Sequence, residues 1–252
     1  MPYIDAFLLA VPSDKQQAYI DHAHRGADYL RSLGAVQQIE CWGDDIPDGK
    51  LTDMRRAVLA QADESIVFAW IAYRDKAARD AANARMMSGD AEVMAAMGDM
   101  PFDGKRMIFS GFAPILADGK SADFTYLDGY IIPVPADKAD AYAALARAAA
   151  PIFREHGASW VAENWGDDVG HGHTTDFFRA VAAEPGENIV FSWVAWPDKA
   201  RRDAGNAAVM ADPRFAPDAA AGQPGSMEMP FDGKRMIMGG FVPVVQVEGE
   251  VE

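Results

Sequence analysis

The sequence predicts an α+β protein, two tandem ferredoxin-like βαββαβ domains packed sheet to sheet as a pseudo-dimeric α/β barrel. Three observations carry this. The first is an internal repeat: laying Tyr3 on Tyr126 brings Asp5 onto Asp128, Tyr19 onto Tyr142, Glu40 onto Glu163 and Trp42-Gly43-Asp44-Asp45 onto Trp165-Gly166-Asp167-Asp168. The second is the order of periodicities within each copy. The third is a central strand, Ile66-Val-Phe-Ala-Trp-Ile-Ala-Tyr73, that is apolar at every position and so needs cover on both faces.

The elements of one copy follow from local pattern. Apolar and β-branched residues over 3–11, ahead of Pro12, predict a strand. Ser13 stands three before Gln16 as a capping box, and Tyr19, Ala23, Ala27 and Leu30 repeat at helical spacing until Gly34 stops the helix. Residues 36–42 predict a second strand, followed by a turn-rich stretch and a short extended piece over 56–59. A third strand covers 65–73, a second helix 76–87, and a last strand 106–115. The register of 123 positions grows to 129 near the end, because Met100-Pro-Phe-Asp-Gly-Lys-Arg-Met-Ile108 returns unchanged at 229–237; an insertion rich in Ala, Gly and Pro is expected over 215–226. The expected domains are 1–118 and 124–247, joined by a polar linker at 119–123.

Composition narrows the function classes. A net charge of −15, shared by both halves, disfavours nucleic acid, and no basic stripe offers a local exception. The single Cys41 forms no intramolecular disulfide, so a reducing, cytoplasmic setting is expected. No apolar run is long enough to span a bilayer and no leader is evident, so neither export nor membrane insertion is expected. None of the five histidines recurs between copies: His22 meets Leu145, His24 meets Arg147, Leu33 meets His156, and Asp48 and Lys50 meet His171 and His173. That argues against inherited haem or histidine-base chemistry, and no cofactor or metal is expected. Asp44-Asp45 reads as a turn former rather than a cation site.

Trp42-Gly-Asp-Asp45, Arg56-Ala-Val58, Val67-Phe-Ala-Trp70, Arg79-Asp80 with Asn83, and the Met100–Ile108 motif together resemble the DUF1428 family, in both copies. The resemblance implies a dimeric α/β barrel and no established activity. Two copies in one chain, and Gly170-His-Gly-His173 in place of Pro47-Asp-Gly-Lys50, depart from the family pattern.

The remaining candidates are polar and aromatic residues shared by the copies: Asp5, Glu40, Arg56, Trp70 and Arg106, with Asp128, Glu163, Arg179, Trp193 and Arg235. Asp5 is in phase with Tyr3 and Phe7, and Glu40 with Trp42, and both carboxylates are expected to point into the space between the sheets. There they would either pair with Arg56 and Arg106 or line a ligand cavity, one acid serving as general base. Trp70 and Trp193 are expected in the core, with stacking on a planar ligand as the alternative. Asp80 and Asn83 are expected to fasten the loop around Asp103. Three readings follow: a small-molecule-binding module with its site between or beside the sheets, a cofactor-independent oxygenase or isomerase suggested by fold analogy alone, and a packed barrel without ligand. A filled barrel would count against both ligand readings, and a cavity lined by Asp5, Glu40, Arg56 and Arg106 would keep them open. The two halves are expected to associate within the chain, with further oligomerisation left open.

Overall fold

Strands apolar on both faces call for two covers, and the computed structural model supplies them: helices outside and a second half-barrel inside. It describes residues 1–89, 91–120, 124–215 and 229–249, without the side chains of 92, 94 and 96; the expected insertion and most of the expected linker lie largely outside these. In chain order the first copy builds β1 (Tyr3–Pro12), a 3-10 turn (Ser13–Lys15), α1 (Gln16–Ser32), β2 (Ala35–Asp45), α2 (Met54–Ala57), β3 (Glu64–Tyr73), α3 (Lys76–Met86), α4 (Ala91–Met97) and β4 (Ile108–Gly119). The second builds β5 (Tyr126–Pro135), a 3-10 turn (Ala136–Lys138), α5 (Ala139–Glu155), β6 (Trp160–Asp168), α6 (Phe177–Ala180), β7 (Glu187–Trp196), α7 (Lys199–Ala211) and β8 (Ile237–Glu248).

The strands close into one barrel in the order β1-β3-β2-β8-β5-β7-β6-β4, all pairings antiparallel. Closure depends on the last strand of each copy. The start of β4 pairs with β1 of its own copy, from Ile4↔Phe112 to Leu8↔Ile108, and its continuation pairs with β6, from Gly111↔Asp168 to Gly119↔Trp160. Strand β8 does the same for β5 and β2. Neither copy keeps a free sheet edge at these joins, which removes the unpaired backbone groups an open edge would expose.

Strand parity then divides the side chains. From β3, Ile66, Phe68, Trp70 and Ala72 point into the barrel, while Val67, Ala69, Ile71 and Tyr73 meet the helices. Phe68 stacks on its counterpart Phe191 at 4.2 Å, and Trp70 on Trp193 at 4.1 Å. Phe112, Phe241 and Trp160 fill the space around them. Gly129 is needed here, because a Cβ would lie 2.8 Å from the Phe68 ring. Among the described residues the barrel interior is therefore a packed aromatic core, and the expected inter-sheet cavity is corrected: the duplicated aromatics that could have stacked on a ligand stack on each other.

Helix starts are set by aspartates. Asp53, Asp75, Asp176 and Asp198 each accept a hydrogen bond from the backbone N–H three residues on. Asp53 thereby makes residues 54–57 a short helix where an extended piece was expected, and the chain leaves it through Leu59 at φ 51°. Its buried Met54 and Ala57, with Phe177 and Ala180 of α6, belong to the barrel core. The two segments exchange hydrogen bonds, Thr52 Oγ1 donating to Ala180 O and Thr175 Oγ1 to Ala57 O. Ser13 opens the 3-10 turn without capping α1, its hydroxyl meeting that of Ser65. Among the described residues no helix is long and apolar enough to cross a membrane.

Candidate functional site

Asp5 and Glu40 do share parity with Tyr3 and Trp42, but that face lies beneath the helices. The expectation that both acids enter the space between the sheets is corrected. The barrel takes Ile4, Ala6 and Leu8 from β1 and Ile39 and Cys41 from β2, and the acids find their donors on the outer layer. The expected cations differ as well. Arg56 is exposed and holds its own loop, donating to Gly49 O at 2.9 Å, as Arg179 does to Gly172 O at 2.7 Å. Arg106 grips Glu64 through two bonds of 2.7 Å, and Arg235 grips Glu187 in the same way. These pairs, with Asp103 on Arg106, fasten the Met100–Ile108 motif to the end of β3. Thus Asp5, Glu40, Arg56 and Arg106 do not converge on one cavity.

Asp5 lies under α3, where Arg79 Nε donates to it at 2.6 Å and Asn83 Nδ2 at 3.1 Å. Burial pushes its carboxyl up, against the opposing influence of both donors. Arg79 also reaches Asp168 of the second copy at 2.5 Å and Asp80 at 3.0 Å. Beside it Tyr3 and Lys76 hold Asp167 at 3.0 and 2.9 Å. The second copy reciprocates: Arg202 binds Asp128, Asp203 and Asp45, while Tyr126 and Lys199 hold Asp44. The two acidic turns are thus taken up by the other copy's cations, and Asp80 and Asn83 serve this clasp instead of the Asp103 loop. The signal was present in the sequence, since Arg79 and Asn83 recur as Arg202 and Asn206 one helical turn apart.

A different kind of site lies under α1. Tyr19 donates to Glu40 Oε2 at 2.6 Å, and Gln38 Nε2 donates to Oε1 at 2.8 Å. Glu40 is 7% exposed and neither partner is a cation, so burial lifts its carboxyl to about 6 against those two bonds. Tyr142 and Glu163 repeat the pair at 2.7 Å under α5, and there burial lifts the acid to about 7 while Ser192 replaces the glutamine. Phe102 closes over Tyr19 and His22, with ring centroids 5.9 Å apart in each case. A carboxyl that titrates near neutrality, hydrogen-bonded to a phenol in an apolar seam, can accept or return a proton, or hold a polar ligand.

The raised acids set a pH dependence. Each gives stability that is complete below its unfolded value near 4.5 and is lost as pH rises through its folded value, about 6 for Glu40 and about 7 for Glu163. Stability is therefore expected to fall from pH 4.5 to 7, with about 2 kcal/mol attributable to Glu40. Urea midpoints measured across that range for the wild type and Glu40→Gln check this. A variant that keeps the full slope would show that Glu40 is ionised at its ordinary pH.

The chain matches the family described as Protein of unknown function (DUF1428) at residues 2–104 and again at 125–233. The protein YbaA of Escherichia coli K12, described as uncharacterized, is 49% identical over 116 residues, which are 46% of this chain and 98% of YbaA. Among solved structures, a candidate monooxygenase from Fusobacterium nucleatum superposes with a TM-score of 0.59 at 10% identity, over 99% of this chain and 96% of that one. A candidate monooxygenase from Lactobacillus acidophilus gives 0.53 at 11% identity, over 99% and 98%. These likenesses show a shared barrel fold.

Proposed function

Because the chain belongs to the DUF1428 family, whose function is unknown, we propose a function from its own geometry: a small-molecule-binding protein whose sites lie beside the barrel, in the seams between sheet and helix. The observation that carries this is the duplicated tyrosine and glutamate pair with no cation on the acid, buried as Tyr19–Glu40 and half-buried as Tyr142–Glu163. A carboxyl whose burial is not offset by a guanidinium costs stability, and its retention supports a use for it. The aromatic interior serves as the rigid scaffold against which α1 and α5 are set.

A second reading, a packed barrel without ligand, draws on the same stacked Trp70 and Trp193. One experiment separates the two. The purified chain is screened against a metabolite set by thermal shift, alongside Glu40→Gln, Glu163→Gln and Trp70→Phe. A ligand at a hundred times its Kd stabilises by about 2.7 kcal/mol, about 5–10 °C for a chain of this length. That shift is expected to vanish in one or both glutamate variants and to persist in Trp70→Phe. A silent screen supports the unliganded barrel, and a shift lost only in Trp70→Phe moves the site into the barrel and overturns the seam reading.

A further inference from the structure

The two seams are built alike but are not equivalent. In the first, His22 Nδ1, the Tyr29 hydroxyl and Gln38 Oε1 are buried without a hydrogen-bond partner; the residues are 7, 9 and 5% exposed. The register that lays Tyr19 on Tyr142 lays these three positions on Leu145, Ile152 and Val161. The second copy builds the same 17-residue helix and keeps the same tyrosine and glutamate pair with hydrocarbon at all three. The fold therefore does not require the polar groups, and leaving them unpaired costs stability. Their retention in one copy points to a partner that completes them.

The mouths of the seams differ in the same sense. A small crevice, with room for about one water molecule, lies where Ala27 and Arg31 of α1, Gln37 and Gln38 of β2, and Val247 and Gly249 at the end of the second copy's last strand meet. Arg31 stays on its helix, paired with Asp28 at 3.3 Å. Its counterpart Arg154 instead turns inward, donating to the carbonyl of Ala158 and facing Asp118 at 3.7 Å. Asp118 is opposite Val161 on the neighbouring strand, as Val247 is opposite Gln38. Where the second seam has an acid to draw its arginine across, the first has Val247, and its crevice reaches Gln38.

Resting on the seam reading above, we infer that the chain has one working site, in the first copy, for a small neutral or cationic molecule presenting N–H or O–H donors. Gln38 Oε1 is a free acceptor, and Glu40 beside it accepts at both oxygens. Burial lowers the His22 imidazole's pKa and so favours the neutral ring, whose Nδ1 carries no partner. An anion would meet Glu40 and a chain of net charge −15.

The full chain, labelled with ¹⁵N, tests this by NMR titration with three probes: acetamide, methylguanidinium and acetate. The first two are expected to bind once per chain and to move the Gln38 side-chain amide with the Ala27 and Val247 signals, while acetate does not. Gln38→Val installs the residue the second copy already carries there. It is expected to weaken both probes at least tenfold. Equal movement in both seams, or acetate binding best, overturns this inference and leaves the seam reading standing. Silence of the probes while a metabolite from the thermal screen depends on Glu163 does the same; silence in both experiments overturns both.

Discussion

Truncating Trp70 to alanine is expected to destabilise the whole chain by about 3–5 kcal/mol, a fall in Tm of about 6–20 °C. The indole is fully buried, lies 4.1 Å from Trp193, meets Trp160 edge-on at 5.9 Å, and donates its N–H to Gln37 at 3.1 Å. Its neighbours are held by strand pairings from both copies and can collapse only partly into the space. Both halves are expected to melt in one transition, because the cavity belongs equally to each. Trp193→Ala alone should cost a similar amount, and the double variant less than the sum, since the stack is already lost. Calorimetry that finds two separate transitions, or full additivity, would contradict a shared core.

Replacing Arg79 by methionine is expected to cost about 3–5 kcal/mol, as removal of one partner of a buried pair does. Asp5 is 1% exposed and would keep only the Asn83 amide. The equivalent Arg202→Met is expected to cost less, because Asp128 retains both Asn206 and the Trp196 N–H, at 2.9 and 3.0 Å. Adding Asp5→Asn to Arg79→Met should recover about 1–3 kcal/mol by removing the stranded charge. Chemical denaturation of these variants reads all three differences. Equal losses for Arg79 and Arg202 would mean that the clasp between the copies, not the buried acid, governs the cost.

These results mark what a sequence discloses about such a fold. The repeat, the strand order and the double-sided burial of β3 were all legible, because each is a periodicity along the chain. Parity placed Asp5 with Phe7 and Glu40 with Trp42, and both groupings hold. Which group enters the barrel was not legible, because both faces are buried, and an apolar strand face reads the same whether a helix or a sheet covers it. The closest clue was chemical: Ala6, Ile4 and Leu8 suit a narrow interior, whereas acids need donors that only the helices carry. Arg79 stands among the recurring motifs, yet its pairing with Asp5 spans 74 positions and appears only on folding. Helix α2 escaped for the opposite reason: four residues are too few for a period, and its Asp53 cap was the single local sign.

The strand exchange at β4 and β8 bears on how such a chain can change over time. A barrel assembled from two identical polypeptides carries every substitution twice, so a mutation that improves one seam alters its mirror image and the join between them at once. Here β4 closes the second half and β8 the first within one polypeptide, and each position mutates alone. Fusion thereby turns an obligatory symmetry into an optional one. One half is free to take Leu145, Ile152, Val161 and an inward Arg154 and become a stabilising support, and the other can keep polar groups that a symmetric assembly would have to carry twice.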